Sequence, residues 1–596
     1  MHWAASCHRG EARIALDEQV DVIGHHCQGV DRGVQRSSLR NQQGVQAFGD
    51  RAYQHRLAVF RAKDEVILAR KDGASVACIS VMFHTDSMPR RLLNNYLTQK
   101  GQGKTAVLLT QDAHASVACK RQSPAQIFMA EAQHTCDVLV VGGGPGGYVA
   151  AIRAAQLGMQ VILVEREALG GICLNWGCIP TKALLRNAEV YHLMQHSADF
   201  GLHCDNLRVD FGQVIARSRQ VAERLSQGVA FLMRKNKIQV LRGTGRLAGA
   251  GVVTVHGAEG PPTATVRAAH IILATGARPR ALPSVPFDQT QVLSSTEAML
   301  LSAVPESLVI IGAGAIGVEF AYFYNTFGSK VTLVEMLPQI VPVEDEEIAG
   351  LLHKSLERQG ITIHVGSRVE RAEVSAAGVQ VHMQTPTGPQ SVLGTKVLVA
   401  IGVQGNIEHL GLETAGVRSE RGFIPVDAHC RTNVPGIYAI GDVNGPPCLA
   451  HVASAEGIAT VEAIAGQDTP GVNYHNIPGC TYCQPQVASV GLTEQAARQA
   501  GHTIRVGRFP FTASGKALAV GNSEGIVKVI FDADTDELLG AHILGADASD
   551  LIAEVGVART LETTHYELLK TVHAHPTLSE AIMEAVGNAY GEAIHI

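Results

Sequence analysis

From residue 137 onward, short apolar runs alternate with glycine-rich turns and with longer stretches of helical period. Val138-Leu139-Val140-Val141, Val161-Ile162-Leu163-Val164, Ile271-Ile272-Leu273-Ala274, Leu308-Val309-Ile310-Ile311 and Val331-Thr332-Leu333-Val334 are runs of the first kind. A run with almost no polar position leaves no face for water. These segments therefore predict strands covered on both sides, as in parallel sheets. Helices are predicted at 148–157, 318–327 and 453–465. From Asn476 the pattern changes to the mixed strands and helices of an α+β unit, with 527–531 and 538–544 reading as a hairpin.

The first strand runs directly into Gly142-Gly143-Gly144-Pro145-Gly146-Gly147, and the fourth into Gly312-Ala313-Gly314-Ala315-Ile316-Gly317. Strand, G-x-G-x-x-G and helix in that order form the dinucleotide-binding fingerprint. Gly142 and Gly312 allow the turn, Gly144 and Gly314 allow backbone to approach a pyrophosphate, and Gly147 and Gly317 let helix pack on strand. The free N–H groups and positive dipole end of the following helix suit phosphate. Each copy then reaches an acid 23 positions after its first glycine, Glu165 and Glu335, placed to accept from ribose hydroxyls. Each also closes on a similar strand, Leu273-Ala274-Thr275-Gly276 in one and Val399-Ala400-Ile401-Gly402 in the other. The device is duplicated, and the second copy is inserted in the first. The predicted fold is α/β: two Rossmann-like dinucleotide-binding domains, one within the other, plus a C-terminal α+β domain. Glu335 repels a 2′-phosphate, and no arginine follows in 336–347, so NAD is expected at the second site rather than NADP.

Composition narrows the class. A chain of 596 residues predicts several domains, and 46% hydrophobic residues suffice for ordinary cores. A net charge of −6 provides no basic field for nucleic acid. Twelve cysteines in this length are too sparse for a disulfide scaffold. There is no apolar run of membrane-spanning length, no signal-peptide pattern, and too many early acids for a transit peptide. A soluble, cytoplasmic protein is expected.

Residues 1–128 carry scattered His, Gln and Arg with brief apolar runs, and are expected to be a poorly ordered extension. Gly103-Lys104-Thr105 looks like the end of a P-loop, but Thr98 stands where the first glycine is required. Ala62-Lys63-Asp64 has the wrong order for the Asp-Lys-Ala hairpin of a lipoyl domain. A natural beginning falls near Met129.

Candidate chemistry centres on Gly170-Gly171-Ile172-Cys173-Leu174-Asn175-Trp176-Gly177-Cys178-Ile179-Pro180-Thr181-Lys182. Two cysteines five positions apart fit a disulfide closed by a helical turn or tight loop; two unlinked buried thiols fit as well. Gly-Gly-x-Cys-Leu-Asn-x-Gly-Cys-Ile-Pro-Thr-Lys resembles the redox-active disulfide of the pyridine nucleotide-disulfide oxidoreductases, and among them the dihydrolipoamide dehydrogenases. The resemblance runs from about Cys136 to the C-terminus. It implies FAD in the first unit and NAD in the second. It implies that Cys173 is the interchange thiol that meets substrate and Cys178 the thiolate beside the flavin. It places Lys182 near the flavin, paired with Glu319, and brings Gly245, Thr275, Gly276, Asp442 and Ala450 to FAD, with Val369 and Gly402 at NAD. Gly402-Val403-Gln404 departs from the Gly-Arg of many relatives, which leaves the NAD contacts there less defined. The implied domains are 135–283 and 405–473 for FAD, 284–404 for NAD and 474–596 for dimerisation.

A second centre is His573-Ala574-His575-Pro576-Thr577-Leu578-Ser579-Glu580. A thiol of pKa about 8.5 needs a base at neutral pH, and an oriented histidine is suited to that task. The resemblance makes His575 the acid-base group and Glu580 its orienter, with His573 nearby, and has the pair act on the partner subunit's disulfide in a homodimer. It further implies lipoyl domains and the core of a 2-oxo acid dehydrogenase complex as partners. Cys480-Thr481-Tyr482-Cys483 has the spacing of a redox or zinc pair, but no second pair completes a metal site, so no metal is expected. The competing readings are an NADPH-linked reductase of a small disulfide such as glutathione, a mercuric reductase, and a flavin-bearing redox module without catalysis. The first predicts arginines after the second fingerprint, the second a C-terminal cysteine pair, and the third has no use for a His-Glu pair.

Overall fold

The first apolar run becomes the middle of a sheet because both of its faces are covered. The computed structural model describes residues 132–596 and, as backbone, an antiparallel hairpin of Leu68–Asp72 with Ser75–Ile79. The expectation for residues 1–128 lies, apart from that hairpin, outside the described residues. Val138, Leu139 and Val140 are wholly buried. Burying a side chain of this size contributes about 1.5–3 kcal/mol. Their strand, Ala132–Val141, pairs in parallel with Val161–Glu165 on one side and Pro262–Leu273 on the other. The full sheet has seven strands, extended antiparallel through Val252–His256 and Thr244–Gly249.

The insertion is visible in the connections. The chain leaves this sheet through Ala277–Pro279 and returns through Val403–Gly405, and these two short strands pair antiparallel. Between them lies a parallel five-stranded sheet in the order Val292–Leu293, Lys396–Val399, Ser307–Ile311, Lys330–Val334, Thr362–His364. A three-stranded antiparallel sheet, Arg368–Ser375 to Gly388–Gly394, accompanies it. After the return, Ile437–Ala439 rejoins the first sheet beside Pro262–Leu273. The C-terminal unit is an antiparallel sheet of five strands, in which Ile526–Asp532 and Leu538–Gly545 form the expected antiparallel pair.

The two fingerprints fold alike in detail. Gly142 and Gly312 have φ of 108° and 101°, a region that side chains disfavour. A Cβ on Gly147 would run into the Gly142 carbonyl oxygen, and one on Gly317 into that of Gly312. The helices that follow, Pro145–Gln156 and Ala315–Thr326, have no side-chain cap at Gly144 or Gly314, so their first N–H groups stay free for a ligand. Pro145–Gln156 also packs closely on Ala450–Ile464. A Cβ on Gly457 would lie 2.8 Å from the Gly146 carbonyl oxygen. That glycine contact brings the late helix back to the first fingerprint.

A buried ionic cluster joins the second dinucleotide unit to the C-terminal sheet. Lys528 is 2% exposed and meets Asp345 at 2.8 Å, Glu347 at 2.9 Å and Glu494 at 2.8 Å. Burial alone would raise Asp345, but Lys528 and the Glu494 N–H hold it below the usual carboxylate range. For Glu347, the pull of Arg508 and Lys528 likewise outweighs burial. Carboxylates with lowered folded pKa stabilise fully above their unfolded values of about 4 and lose that contribution as pH falls below. Lys528→Met strands these acids, and it is expected to cost about 3–5 kcal/mol at neutral pH. The check is the denaturant midpoint at pH 7, with the deficit narrowing under acid.

Candidate functional site

The two cysteines belong to successive helices, Gly171–Trp176 and Cys178–Gln195, broken at Gly177. The break turns Cys178 back toward Cys173, and their thiols stand unlinked in hydrogen-bond contact. The Gly171–Trp176 helix is set against the first fingerprint: a Cβ on Gly171 would lie 2.7 Å from Gly144 Cα. The thiol pair and the phosphate-binding turn are thus neighbours, which places Cys173 and Cys178 beside the dinucleotide cradle. Cys173 is buried and Cys178 half-buried.

Their electrostatics are opposed. The hydrogen bond from Cys173 lowers Cys178 most; burial resists, Lys182 adds to the lowering, and the result is about 7. Cys173, as donor, is held well above the ordinary thiol range, with burial adding to the effect. Lys182 lies one turn after Cys178 and contacts both carboxylate oxygens of Glu319 at 3.0 Å. Glu319, 5% exposed, comes from the helix of the second fingerprint, so this ion pair crosses from one dinucleotide unit to the other.

The acids at the ends of the second strands do the same work in both copies. Glu165 accepts from the Gly143 N–H at 2.7 Å, and Glu335 from the Ala313 N–H at 2.7 Å. Each also accepts from backbone two residues on, Glu167 N–H at 2.7 Å and Leu337 N–H at 2.9 Å. The carboxylates brace the glycine turns. Ile316, by contrast, is 40% exposed at the mouth of the second turn. Gly402, with φ of 102°, has open space around it. Val369 is half-buried against the three-stranded sheet and its neighbours.

Further FAD-side candidates converge on the first sheet. Gly245 is pressed on Val141, where a Cβ would come within 2.8 Å of Val141 Cγ1. Thr275 donates to the Asn406 carbonyl at 2.9 Å, and the Asn406 side chain donates back to the Thr275 carbonyl at 2.9 Å, locking the turn before Gly276. Asp442 sits in the short turn Gly441–Val443, raised by burial and by nearby Glu456. Ala450 begins the Ala450–Ile464 helix. Cradles with uncapped helix N-termini, open space at Gly314 and a half-buried carboxyl at Asp442 fit dinucleotides.

The histidine centre is intact but stands apart. His575 Nδ1 and Glu580 Oε1 are 2.8 Å apart, and the Thr577 N–H holds the other oxygen at 2.8 Å. That N–H is the main reason Glu580 lies below the usual range, with His575 adding to it against slight burial. The His575 side chain is 79% exposed. Among the described residues no hydrogen bond joins it to either cysteine of its own chain. His573 is the buried member, bonded to Glu554 at 2.7 Å. Cys483 is fully buried and donates to the Pro485 carbonyl, while burial pushes Cys480 up to about 11. No group of three or more metal-ligating side chains occurs among the described residues. Nor does any helix among them have the length and apolarity to cross a membrane.

Sequence reasoning missed Asn406 and Glu456. Glu456 is buried; it accepts from the Gly441 N–H at 2.6 Å, Asn444 at 3.1 Å and the Tyr474 hydroxyl at 2.6 Å, fixing the Asp442 turn. An acid in the middle of the apolar helix after Ala450 was a signal for it. Asn406 had none.

The chain is similar to known proteins over most of its described length. Residues 136–457 match the family described as pyridine nucleotide-disulphide oxidoreductase, and 477–586 match its dimerisation domain. The chain is 50% identical over 475 residues to a dihydrolipoyl dehydrogenase of Rhizobium etli, covering 77% of this chain and 99% of that one. It is 50% identical over 461 residues to another from Zymomonas mobilis, with coverage of 77% and 99%. Among solved structures, LpdA from Mycobacterium tuberculosis aligns with a TM-score of 0.71 at 28% identity, covering 76% of this chain and 99% of that one.

Proposed function

This chain belongs to the pyridine nucleotide-disulphide oxidoreductase family, and from that premise we propose the residue roles by which it acts as an NAD-linked dihydrolipoyl dehydrogenase. The observation that carries the reading is that the helix bearing Cys173 packs, through Gly171 against Gly144, on the first of two dinucleotide cradles. In the disulfide form of the pair, His575 takes a proton from one thiol of dihydrolipoamide, and the resulting thiolate attacks Cys173 Sγ. The Cys173–Cys178 bond breaks and Cys178 leaves as a thiolate. The second substrate thiol then displaces Cys173, which departs as a thiol, and the substrate sulfurs close as lipoamide. Two electrons have moved from substrate to the cysteine pair. FAD, when bound, supplies the two-electron carrier between that pair and NAD.

Gly142, Gly144, Gly147, Glu165, Gly245, Thr275, Gly276, Asp442 and Ala450 hold the FAD, and Lys182 with Glu319 lies beside its reactive end. Gly312, Gly314, Ile316, Gly317, Glu335, Val369 and Gly402 hold the NAD. The division into 135–283, 284–404, 405–473 and 474–596 follows from these assignments. The exposed His575–Glu580 pair serves the disulfide of a second copy, so the working unit is a homodimer. It serves a 2-oxo acid dehydrogenase complex through its lipoyl domains, in the cytoplasm.

Steady-state oxidation of dihydrolipoamide tests the reading. NAD+ is expected to support turnover at least about tenfold better than NADP+, because Glu335 is buried beside the second glycine turn, where an acid disfavours a 2′-phosphate. Equal use of the two coenzymes would count against the role of Glu335. A chain that reduced glutathione disulfide with NADPH instead would overturn the substrate assignment.

A further inference from the structure

One aromatic ring from the C-terminal unit enters the thiol site of its own chain. The Lys182 ammonium lies 4.2 Å above the centroid of Tyr482. The residue is tied to the same carboxylate as Lys182. Its backbone N–H donates to Glu319 Oε1 at 3.1 Å, the same oxygen that Lys182 contacts at 3.0 Å. Thr481, immediately before it, is paired with Val487 at the end of the sheet. Burial and Cys480 push the Tyr482 hydroxyl up to about 12, so the ring stays neutral and keeps its attractive face at working pH.

Lys182 therefore has three partners that compete for one charge: Glu319, the Tyr482 face and Cys178. A carboxylate alone would draw the ammonium onto itself and away from the sulfur. A ring below it holds the ammonium by attraction that carries no net charge, and so leaves its field available to Cys178. We propose that Tyr482 is a positioning residue, whose ring face sets Lys182 between Glu319 and Cys178 and thereby favours the thiolate of Cys178. This rests on the functional reading above. It also makes the C-terminal unit part of the thiol site within one chain, apart from any contribution of His575 across a dimer.

The charged and titratable groups facing Cys178 are Cys173 from the preceding helix, Lys182 from its own, Glu319 from the second fingerprint helix and Tyr482 from the C-terminal unit. Asp442 and Tyr148 face Cys173. The test titrates Cys178 in the FAD-loaded protein carrying Cys173→Ser, as thiolate ultraviolet absorbance against pH, with Cys173→Ser/Cys178→Ser subtracted. Tyr482→Leu is expected to raise the midpoint by about 0.5–1 pH unit, the size of a partly desolvated cation–π contact. Tyr482→Phe keeps the ring and is expected to titrate with the parent. A Leu variant that titrates with the parent, or a Phe variant that shifts as far as Leu, overturns the proposal. If the Leu variant fails to retain FAD, Tyr482→Trp carries the test: its stronger face is expected to lower the midpoint, and no downward shift overturns the proposal. A midpoint that follows the ring, while the parent chain with both cysteines fails to oxidise dihydrolipoamide, overturns the functional reading and leaves this one standing.

Discussion

Cys178→Ser is expected to lower dihydrolipoamide oxidation by at least about 1000-fold while FAD stays bound. Serine fills the same space, so the break at Gly177 and the packing around Lys182 persist. The substitution removes the sulfur that must leave Cys173 when substrate attacks. Serine forms no bond to Cys173 Sγ, so the disulfide that substrate must attack never forms, and the thiolate whose pKa is brought down to about 7 by the Cys173 hydrogen bond and Lys182 is lost with it. Absorbance of the retained flavin and turnover with NAD+ are the two measurements. Full activity in this variant would end the assignment of Cys178. The same lowered pKa has a thermodynamic side. Reduced protein gains full stability from this group above the ordinary thiol pKa of about 8.5, and loses it as pH falls through about 7.

His575→Gln is expected to reduce kcat by about 10²–10⁴, the usual worth of a positioned general base. The pH dependence distinguishes this from a general loss of packing. Without the base, attack waits on spontaneous ionisation of the substrate thiol, so the residual rate should climb about tenfold per pH unit until the thiol pKa of about 8.5. Glu580→Gln removes the charge and one of the two acceptor oxygens that meet His575 and the Thr577 N–H but leaves the imidazole in place, and a smaller fall is expected. Because His575 is 79% exposed, neither substitution should move the denaturant midpoint appreciably. A pH profile parallel to that of the parent protein would remove His575 from the base role.

The parts legible in the sequence were those that rest on local geometry. The glycines at 147 and 317 are demanded by collision with a carbonyl five residues back, and those at 142 and 312 by their own positive φ, so the motif alone announced the turn. The apolar runs announced buried strands because each carries its own environment in its side chains. The five-residue spacing of Cys173 and Cys178 announced their contact for the same reason. Glu319 reached Lys182 across 137 positions, and it was named only through resemblance, since nothing in either local stretch points to the other.

Side chains brought together by the return of the chain were not legible. Asn406 locks Thr275 from 131 positions away, and Glu456 holds the Asp442 turn from within a helix that reads as plain packing. Tyr482 looks, in sequence, like a residue between two cysteines of ambiguous purpose. Only the meeting of the C-terminal sheet with two dinucleotide helices puts its ring beneath Lys182. By itself, the amino-acid sequence determined the duplicated turn, the insertion and the thiol pair, because each is written in residues that interact over short distances. The tertiary structure decided which acids brace which loops and which ring faces the ammonium, because burial and charge act through space and take no account of separation along the chain.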